Sequence, residues 1–182
     1  MGVAEPVVPA DGYELSDDPD RLDLDAVWAF LSTDAYWGRW RTRADLDAQV
    51  AGAWRVVGAY AADSTQVGFA RAVSDGAGFA YLADVFVSPE HRGHRLGHRL
   101  VETMVDDGPG ADFRWVLFTR DAHGLYASHG FGEPGTSAMV RPARGSLAGR
   151  RVSRAGSRRA RPARRSGRGG SGPEPSPTLG PR

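Results

Sequence analysis

The sequence predicts a mixed α/β fold in which a mostly antiparallel sheet is flanked by helices. Three consecutive strand-like segments, residues 54–61, 66–74 and 79–87, are joined by short turns, which indicates antiparallel hairpins. A helical segment then separates the third strand from another at residues 114–119, as is typical of a parallel, right-handed β-α-β crossover. We therefore expect one sheet that contains both kinds of pairing, with helices on both faces.

The elements that precede the hairpins follow from local signals. A short first strand is predicted over residues 12–16, and apolar residues at helical spacing predict a helix over residues 21–31. A second helix is expected to begin at Thr42, because Asp45 stands three residues further on as an acidic variant of the capping box. It should end near Gly52.

Three further elements are predicted after the hairpins. Leu96, Leu100 and Met104 repeat at helical spacing and indicate that a loop and then a helix follow, together from about residue 92 to residue 107. A short helix is expected over residues 122–129, where Asp121 can cap its start. Residues 137–141 are predicted to form a last strand.

Composition excludes several classes of site. The 182 residues include no Cys, so disulfides and Cys-based metal or nucleophile chemistry are absent, and no metal site is expected. No apolar run approaches the roughly 20 residues that cross a bilayer, and the first residues lack the pattern of a secretory signal. We expect a soluble, cytoplasmic protein that does not bind membranes.

Charge divides the chain into two parts. Residues 1–141 carry 12 Arg and 21 acidic residues, whereas the remaining residues carry 11 Arg and one Glu. We expect a folded domain over residues 1–142 and a disordered tail, rich in Arg, Gly, Pro and Ser, over residues 143–182, because the tail has too few apolar residues to offset its ordering entropy. Such a tail either binds nucleic acid through its charge or is a solvated extension.

The most informative segment is residues 81–100. An apolar strand leads through Ser88 and Pro89 into a basic loop that contains Gly and then into a helix. The amides that open a helix carry a partial positive charge, and basic side chains are unfavourable there unless an anion compensates. The pattern predicts a receptor for a phosphate-bearing ligand, and the alternative is simply a helix with a basic start.

Two motifs resemble the GNAT superfamily of acetyl-CoA-dependent N-acetyltransferases. The loop Arg92-Gly93-His94-Arg95-Leu96-Gly97 resembles the family's pyrophosphate loop Arg/Gln-x-x-Gly-x-Gly/Ala, with Arg95 in place of the usual middle Gly. The later Leu125-Tyr126-x-x-x-Gly130-Phe131 resembles a second family signature. The resemblance covers about residues 12–141 and implies a GNAT fold with acetyl-CoA as co-substrate.

The resemblance also implies which residues bind the cofactor. The backbone of the third hairpin strand would pair with pantetheine, and the loop and helix start would hold the diphosphate. The implied contacts are Val85, Phe86, Val87, Arg92, Gly93, His94, Arg95, Leu96, Gly97, His98 and Thr119.

Catalytic candidates are fewer. By family position Tyr126 would be the general acid that protonates the departing thiolate, and the alternative is a tyrosine at the edge of the core. Asp84 is a candidate base or else a buried, paired carboxylate, and His123 is a candidate base or else a helix-surface histidine. Tyr36, Trp37 and Trp40 either form the acceptor wall, suited to an aromatic or cationic amine, or pack beneath the helices.

The predicted function is transfer of an acetyl group from acetyl-CoA to an amine of a small molecule or peptide. The amine would attack directly in a ternary complex, without an acyl-enzyme. Two other functions remain open: a non-catalytic acyl-CoA sensor, and a nucleic-acid-binding protein that acts through its Arg-rich tail.

Overall fold

A computed structural model describes residues 12–141 of the chain. Within that range it contains five strands and four α-helices. The strands are β1 (Tyr13–Ser16), β2 (Arg55–Ala61), β3 (Gln66–Ser74), β4 (Phe79–Val87) and β5 (Arg114–Val116). The helices are α1 (Leu24–Thr33), α2 (Arg43–Ala51), α3 (Leu96–Val105) and α4 (His123–Ala127). The chain divides into two units after Gly135, and residues 136–141 are the described part of the second unit.

The five strands form one sheet in the order β1-β2-β3-β4-β5. The first four strands are antiparallel to their neighbours, and β5 pairs with β4 in parallel. The parallel pair is the crossover that the sequence predicts, because α3 lies between its two strands along the chain. The prediction of a mixed, mostly antiparallel sheet is confirmed.

Helices cover both faces of this sheet through two separate clusters of buried side chains. Leu96, Leu100 and Met104 of α3 pack with one cluster, while Leu31 of α1 and Leu46 of α2 belong to the other. Neighbouring residues of β2 divide between the two clusters, Val57 with α3 and Val56 with α1, as the alternation of side chains along a strand requires. The sheet is therefore buried on both faces.

Capping side chains set where the first two helices begin. Asp23 accepts hydrogen bonds from the amides of Asp25 and Ala26, so α1 begins at Leu24 rather than at the predicted residue 21. The preceding Pro19–Arg21 forms a 3-10 turn instead. In α2 the predicted capping box is present, with the Thr42 and Asp45 side chains each accepting from the other's backbone amide.

Three predictions for the end of the domain differ from the structure. The helix predicted over residues 122–129 is shorter, and its N-cap residue is Ala122 and not Asp121. β5 stops at Val116, short of the predicted residue 119. The predicted strand over residues 137–141 is wrong, since no strand forms there and Met139 is 95% exposed. Two adjacent apolar residues without burial provide too little free energy to order a strand. The boundary at residue 142 and the predicted tail lie outside the described residues.

Candidate active site

The sheet opens between β4 and β5. The two strands pair only at Phe79 with Arg114, Ala80 with Trp115 and Tyr81 with Val116. Beyond Tyr81 the strands separate, and within the described part of the chain no strand pairs with residues 82–87 on this side. Backbone amides and carbonyls along that edge are left available for a ligand that lies beside the strand.

A bulge at Asp84 accompanies the separation. The register between β3 and β4 shifts between Phe69 and Arg71, and Asp84 adopts a left-handed conformation with φ of 55°. Asp is one of the few non-Gly residues that tolerates this conformation. The bulge turns the following strand segment away from the line of β5.

The Asp84 side chain is buried and paired with two arginines. Its Oδ1 accepts from Nη1 of Arg41 at 2.8 Å, and its Oδ2 accepts from Nε and Nη2 of Arg71 at 2.9 and 2.8 Å. Arg71 is on the neighbouring strand, whereas Arg41 comes from the segment between α1 and α2. The ion pair therefore joins that segment to the bulge. Of the two roles predicted for Asp84, the pairing favours the structural one.

The opening between the separated strands is a cleft of about 330 Å³. Aromatic side chains dominate its walls, and most of the predicted acceptor and catalytic residues meet there. Lining residues include Tyr36, Trp37, Trp40, Arg41, Tyr81, Asp84, Val85, Phe118, Thr119, Arg120, Asp121 and Tyr126. We call this space the cleft.

Tyr126 lies half-buried on the cleft wall, with the edge of its ring against Phe131 at a centroid distance of 5.9 Å. Burial, with a smaller contribution from Tyr36 and Asp121, raises the pKa of its hydroxyl to about 12. The two neighbours contribute because their negative charges would repel that of an ionised Tyr126. The hydroxyl is therefore protonated throughout the neutral range.

The three predicted acceptor residues all line the cleft. The Tyr36 hydroxyl accepts from the amide of Arg120 at 3.1 Å, and the Arg120 guanidinium stacks 3.6 Å from the centre of the Tyr36 ring. Trp37 also packs against the cluster beneath α1, so the predicted packing is found, and its role towards an acceptor stays a prediction. Trp40 is 70% exposed at the rim.

The predicted phosphate loop borders a second cavity of about 320 Å³. We call it the loop cavity, and its lining includes Val87, His91, Arg92, Gly93, Arg95, Leu96, Gly97 and His98. Arg95, which stands where the family motif usually has Gly, adopts the left-handed conformation with φ of 57° and ψ of 14°. The backbone thus keeps the geometry for which Gly is normally used, although the side chain differs.

The start of α3 suits an anion. The residue before the helix, Arg95, makes no capping hydrogen bond with its side chain, and the first turn contains no acidic residue. A Cβ placed on Gly97 would meet only the Leu125 side chain, at 3.6 and 4.0 Å, so the protein's own packing does not require Gly there. The observations fit a diphosphate held against the helix start.

The other predicted residues contribute to the two cavities only in part or not at all. Thr119 lines the cleft while its Oγ1 accepts from the amide of Ala122. Phe86 turns its ring into the core, stacked on Phe30 at 4.0 Å, so only its backbone is available to a ligand. His94 lies beside the Tyr13 ring and is absent from the loop-cavity lining, and exposed His123 is absent from the cleft lining.

Sequence reasoning missed three residues of the site, of which Arg41 and Tyr81 line the cleft and Arg71 lies outside its lining. Arg41 and Arg71 carry the ion pair to Asp84, and Tyr81 lines the wall two residues before Ala83 and four before Val85. The bulge at Asp84 interrupts the alternation of β4 between Tyr81 and Val85, so strand spacing does not mark Tyr81 as a cleft residue. Nothing local marks the two arginines, because their partner is distant in sequence.

Comparison with known proteins identifies the family. Residues 53–133 match the family model described as an acetyltransferase (GNAT) domain. A protein of Gibberella zeae that is named as an acetyltransferase is 30% identical in an alignment of 136 positions, which covers 64% of this chain and 77% of that relative. The chain belongs to the GNAT acetyltransferase family.

Solved structures agree with this assignment. A GNAT-family protein from Xanthomonas campestris is 36% identical, with a TM-score of 0.67 over 72% of this chain and 93% of its own. A Staphylococcus aureus protein of unknown function superposes with a TM-score of 0.61 over 72% of this chain and 98% of its own. The S. aureus protein is only 16% identical and supports the GNAT fold alone. In the GNAT fold the separated strands and the loop before α3 are the two features that shape the candidate site.

Proposed function

We propose that this GNAT protein transfers an acetyl group from acetyl-CoA to an amine of a small molecule or peptide, by direct attack in a ternary complex. One observation carries the proposal: the loop cavity and the cleft meet the same open edge of β4. Val87 lines the loop cavity and Val85 lines the cleft. A cofactor with its diphosphate at α3 would have its acyl end directed along the strand towards the cleft.

The loop cavity supplies the contacts that acetyl-CoA needs at its diphosphate. The amides that open α3 would donate to phosphate oxygens, and Arg92 and Arg95 would supply charge. The Nε of Arg92 donates to the Val87 carbonyl at 3.1 Å, which anchors that side chain beside the loop. The edge of β4 at residues 85–87, which no strand of residues 12–141 covers on the β5 side, would pair with pantetheine as an added strand does.

The reaction needs a neutral amine and a place for two developing negative charges. With a Lys-like pKa of about 10.4, deprotonating the amine at pH 7 costs about 4–5 kcal/mol. The tetrahedral oxyanion would be stabilised by an amide of the open strand edge. The departing thiolate would be stabilised by a hydrogen bond from Tyr126, which lines the cleft.

The raised pKa of Tyr126 limits what it does. A thiol has a pKa of about 8.5, so complete proton transfer to the thiolate from a hydroxyl of pKa about 12 is uphill by about 5 kcal/mol. We infer that Tyr126 donates a hydrogen bond as the C–S bond breaks, and that the net proton on the thiol comes from the nitrogen that has attacked as a neutral amine. The ammonium of the tetrahedral adduct releases that proton as the amide forms.

The base that first deprotonates the amine stays a prediction. Both Asp84 oxygens already accept from guanidinium groups, so an ammonium would have to displace Arg41 or Arg71 to reach one. His123 is exposed and outside the cleft lining. Water at the open cleft is the route that requires no rearrangement of these groups.

The cleft favours an acceptor with an apolar or aromatic portion beside its amine. Arg120 already stacks on Tyr36, and the Arg41 guanidinium lies 5.3 Å from the Trp40 ring centre. A cationic acceptor on either of those rings would be repelled by the guanidinium that already lies there. Phe118 and Tyr81 contact each other at a centroid distance of 5.8 Å, and no cation among residues 12–141 stacks on either ring.

The test is CoA thiol release measured with the purified protein over a panel of aromatic and aliphatic amines. Tyr126→Phe should lower kcat by about 10²-fold, with little change in the KM for acetyl-CoA. Because the pKa of Tyr126 is about 12, the wild-type kcat should show no loss attributable to this hydroxyl up to about pH 11. Tight CoA binding without turnover, unaffected by Tyr126→Phe, would replace the enzyme by an acyl-CoA sensor.

A further inference from the structure

A chain of hydrogen-bonding side chains leads away from the loop cavity. His98 lines the cavity, and its Nδ1 lies 3.3 Å from Nε2 of His129. Nδ1 of His129 in turn lies 3.3 Å from Oδ2 of Asp106, and the Ser128 hydroxyl lies 3.4 Å from Nδ1 of His98. His98 and Asp106 mark the start and the end of α3, while His129 follows α4. Neither the family motifs nor the chemistry proposed above accounts for this arrangement.

The number of protons on these hydrogen-bonded side chains decides whether His98 offers the cavity an N–H donor or a lone pair. With the Asp106 carboxylate as acceptor, His129 donates from Nδ1 and accepts at Nε2 from the Nδ1–H of a neutral His98. Nε2 of His98 then carries a lone pair, which repels a phosphate oxygen. One added proton, on either ring, leaves an N–H at that Nε2 and keeps the His98–His129 and His129–Asp106 hydrogen bonds. The pair therefore binds an anion well only when it holds one extra proton.

We propose that His129 and Asp106 are positioning residues that hold His98 as a donor to the diphosphate of the cofactor, and that CoA binding takes up one proton from solvent. The inference rests on the proposed function, because it requires the diphosphate in the loop cavity. His98 is the residue that touches the ligand. His129 fixes its ring, and Asp106 offsets the charge that the added proton brings.

The other charged groups around His98 explain why the proton arrives with the ligand. Arg92, Arg95 and His91 line the same cavity, and the two arginines oppose a further positive charge while the cavity holds no anion. On its own helix, His98 is followed by Arg99 and, one turn later, by Glu102. The negative charge of a diphosphate offsets the charge of the two arginines, so their opposition to a further proton is removed when the ligand binds. Proton uptake is then linked to binding.

The experiment is isothermal titration of CoA into the full-length protein at about pH 8. Two buffers of different ionisation enthalpy are compared, which yields the number of protons taken up. CoA's own phosphomonoester, with a pKa of about 6, is ionised at that pH and contributes little. The wild type should take up close to one proton, with Kd rising towards tenfold per pH unit above pH 8. His98→Gln should abolish the uptake.

Two positioning variants and one control separate this role from general electrostatics. Asp106→Asn and His129→Gln should each reduce proton uptake and weaken CoA binding several-fold, and raise the KM for acetyl-CoA with kcat unchanged. Asp107→Asn removes the same charge from the neighbouring exposed residue, whose side chain makes no hydrogen bond or ion pair among residues 12–141. It should match the wild type.

The outcomes are distinct. CoA binding without proton uptake, or equal uptake in the wild type, Asp106→Asn and His129→Gln, would overturn the inference and leave the proposed function standing. No heat from CoA with the wild type, whose fold is verified by cooperative unfolding, would overturn the proposed function itself. Since Asp106 is half-exposed, Asp106→Asn is expected to fold. It therefore tests the inference even if His129→Gln is unstable.

Discussion

Replacement of Asp84 by Asn tests whether this carboxylate supports the bulge or acts as a base. The change keeps the size of the side chain and its tolerance for the left-handed backbone, so the φ of 55° adds no new strain. It removes one negative charge that two buried guanidiniums share. The side chains of Arg41 and Arg71 are 8% and 7% exposed, and that of Asp84 is fully buried.

The expected loss follows from this geometry. An amide offers one acceptor oxygen, so it can face Arg41 or Arg71, and its NH2 group then points at the other guanidinium. Breaking a buried ion pair by removing one partner costs about 3–5 kcal/mol. That is a large part of the 5–15 kcal/mol by which domains are usually stable. With a urea m-value of about 2 kcal/mol per molar, the unfolding midpoint should fall by about 2 M.

The assay is urea unfolding followed by tryptophan fluorescence, with Asp112→Asn as the control because Asp112 is exposed and its side chain has no described partner. The control should unfold within about 0.5 kcal/mol of the wild type. If Asp84→Asn changes stability by less than about 1 kcal/mol but lowers kcat at least 100-fold, the structural explanation is refuted and Asp84 is the base.

Three further predictions concern the loop and the tail. Gly97→Val should raise the KM for acetyl-CoA at least tenfold while unfolding stays within about 1 kcal/mol of the wild type, because its Cβ meets only Leu125; an unchanged KM would mean that the loop does not hold the diphosphate. Arg95→Gly should raise the free energy of unfolding by about 0.5–1 kcal/mol, since relief of left-handed strain exceeds the added chain entropy, and should raise the same KM several-fold; a loss of stability measured by urea would contradict this. Deletion of residues 143–182 should leave acetylation unchanged, whereas loss of acetylation, or salt-sensitive RNA binding that only the full chain shows, would assign the tail a role.

Much of the fold could be predicted because its signals are local. Period-two and helical spacing placed β2, β3, β4 and α3 nearly as they are found, and the capping box of Thr42 and Asp45 is present. The end of the domain could not be predicted in the same way. The strand expected over residues 137–141 depended on a pairing partner, and spacing alone does not provide one.

The sequence by itself determined the order of the elements, the loop before α3 and the resemblance to GNAT proteins, because each depends on residues within a few positions of one another. Only the tertiary structure decided how Asp84 is used, because Arg41 is 43 residues away and Arg71 is 13 residues away along the chain. It also decided the His98–His129–Asp106 chain, which forms only when α4 packs beside α3. Hydrogen bonds between distant side chains depend on packing, and no local pattern records them.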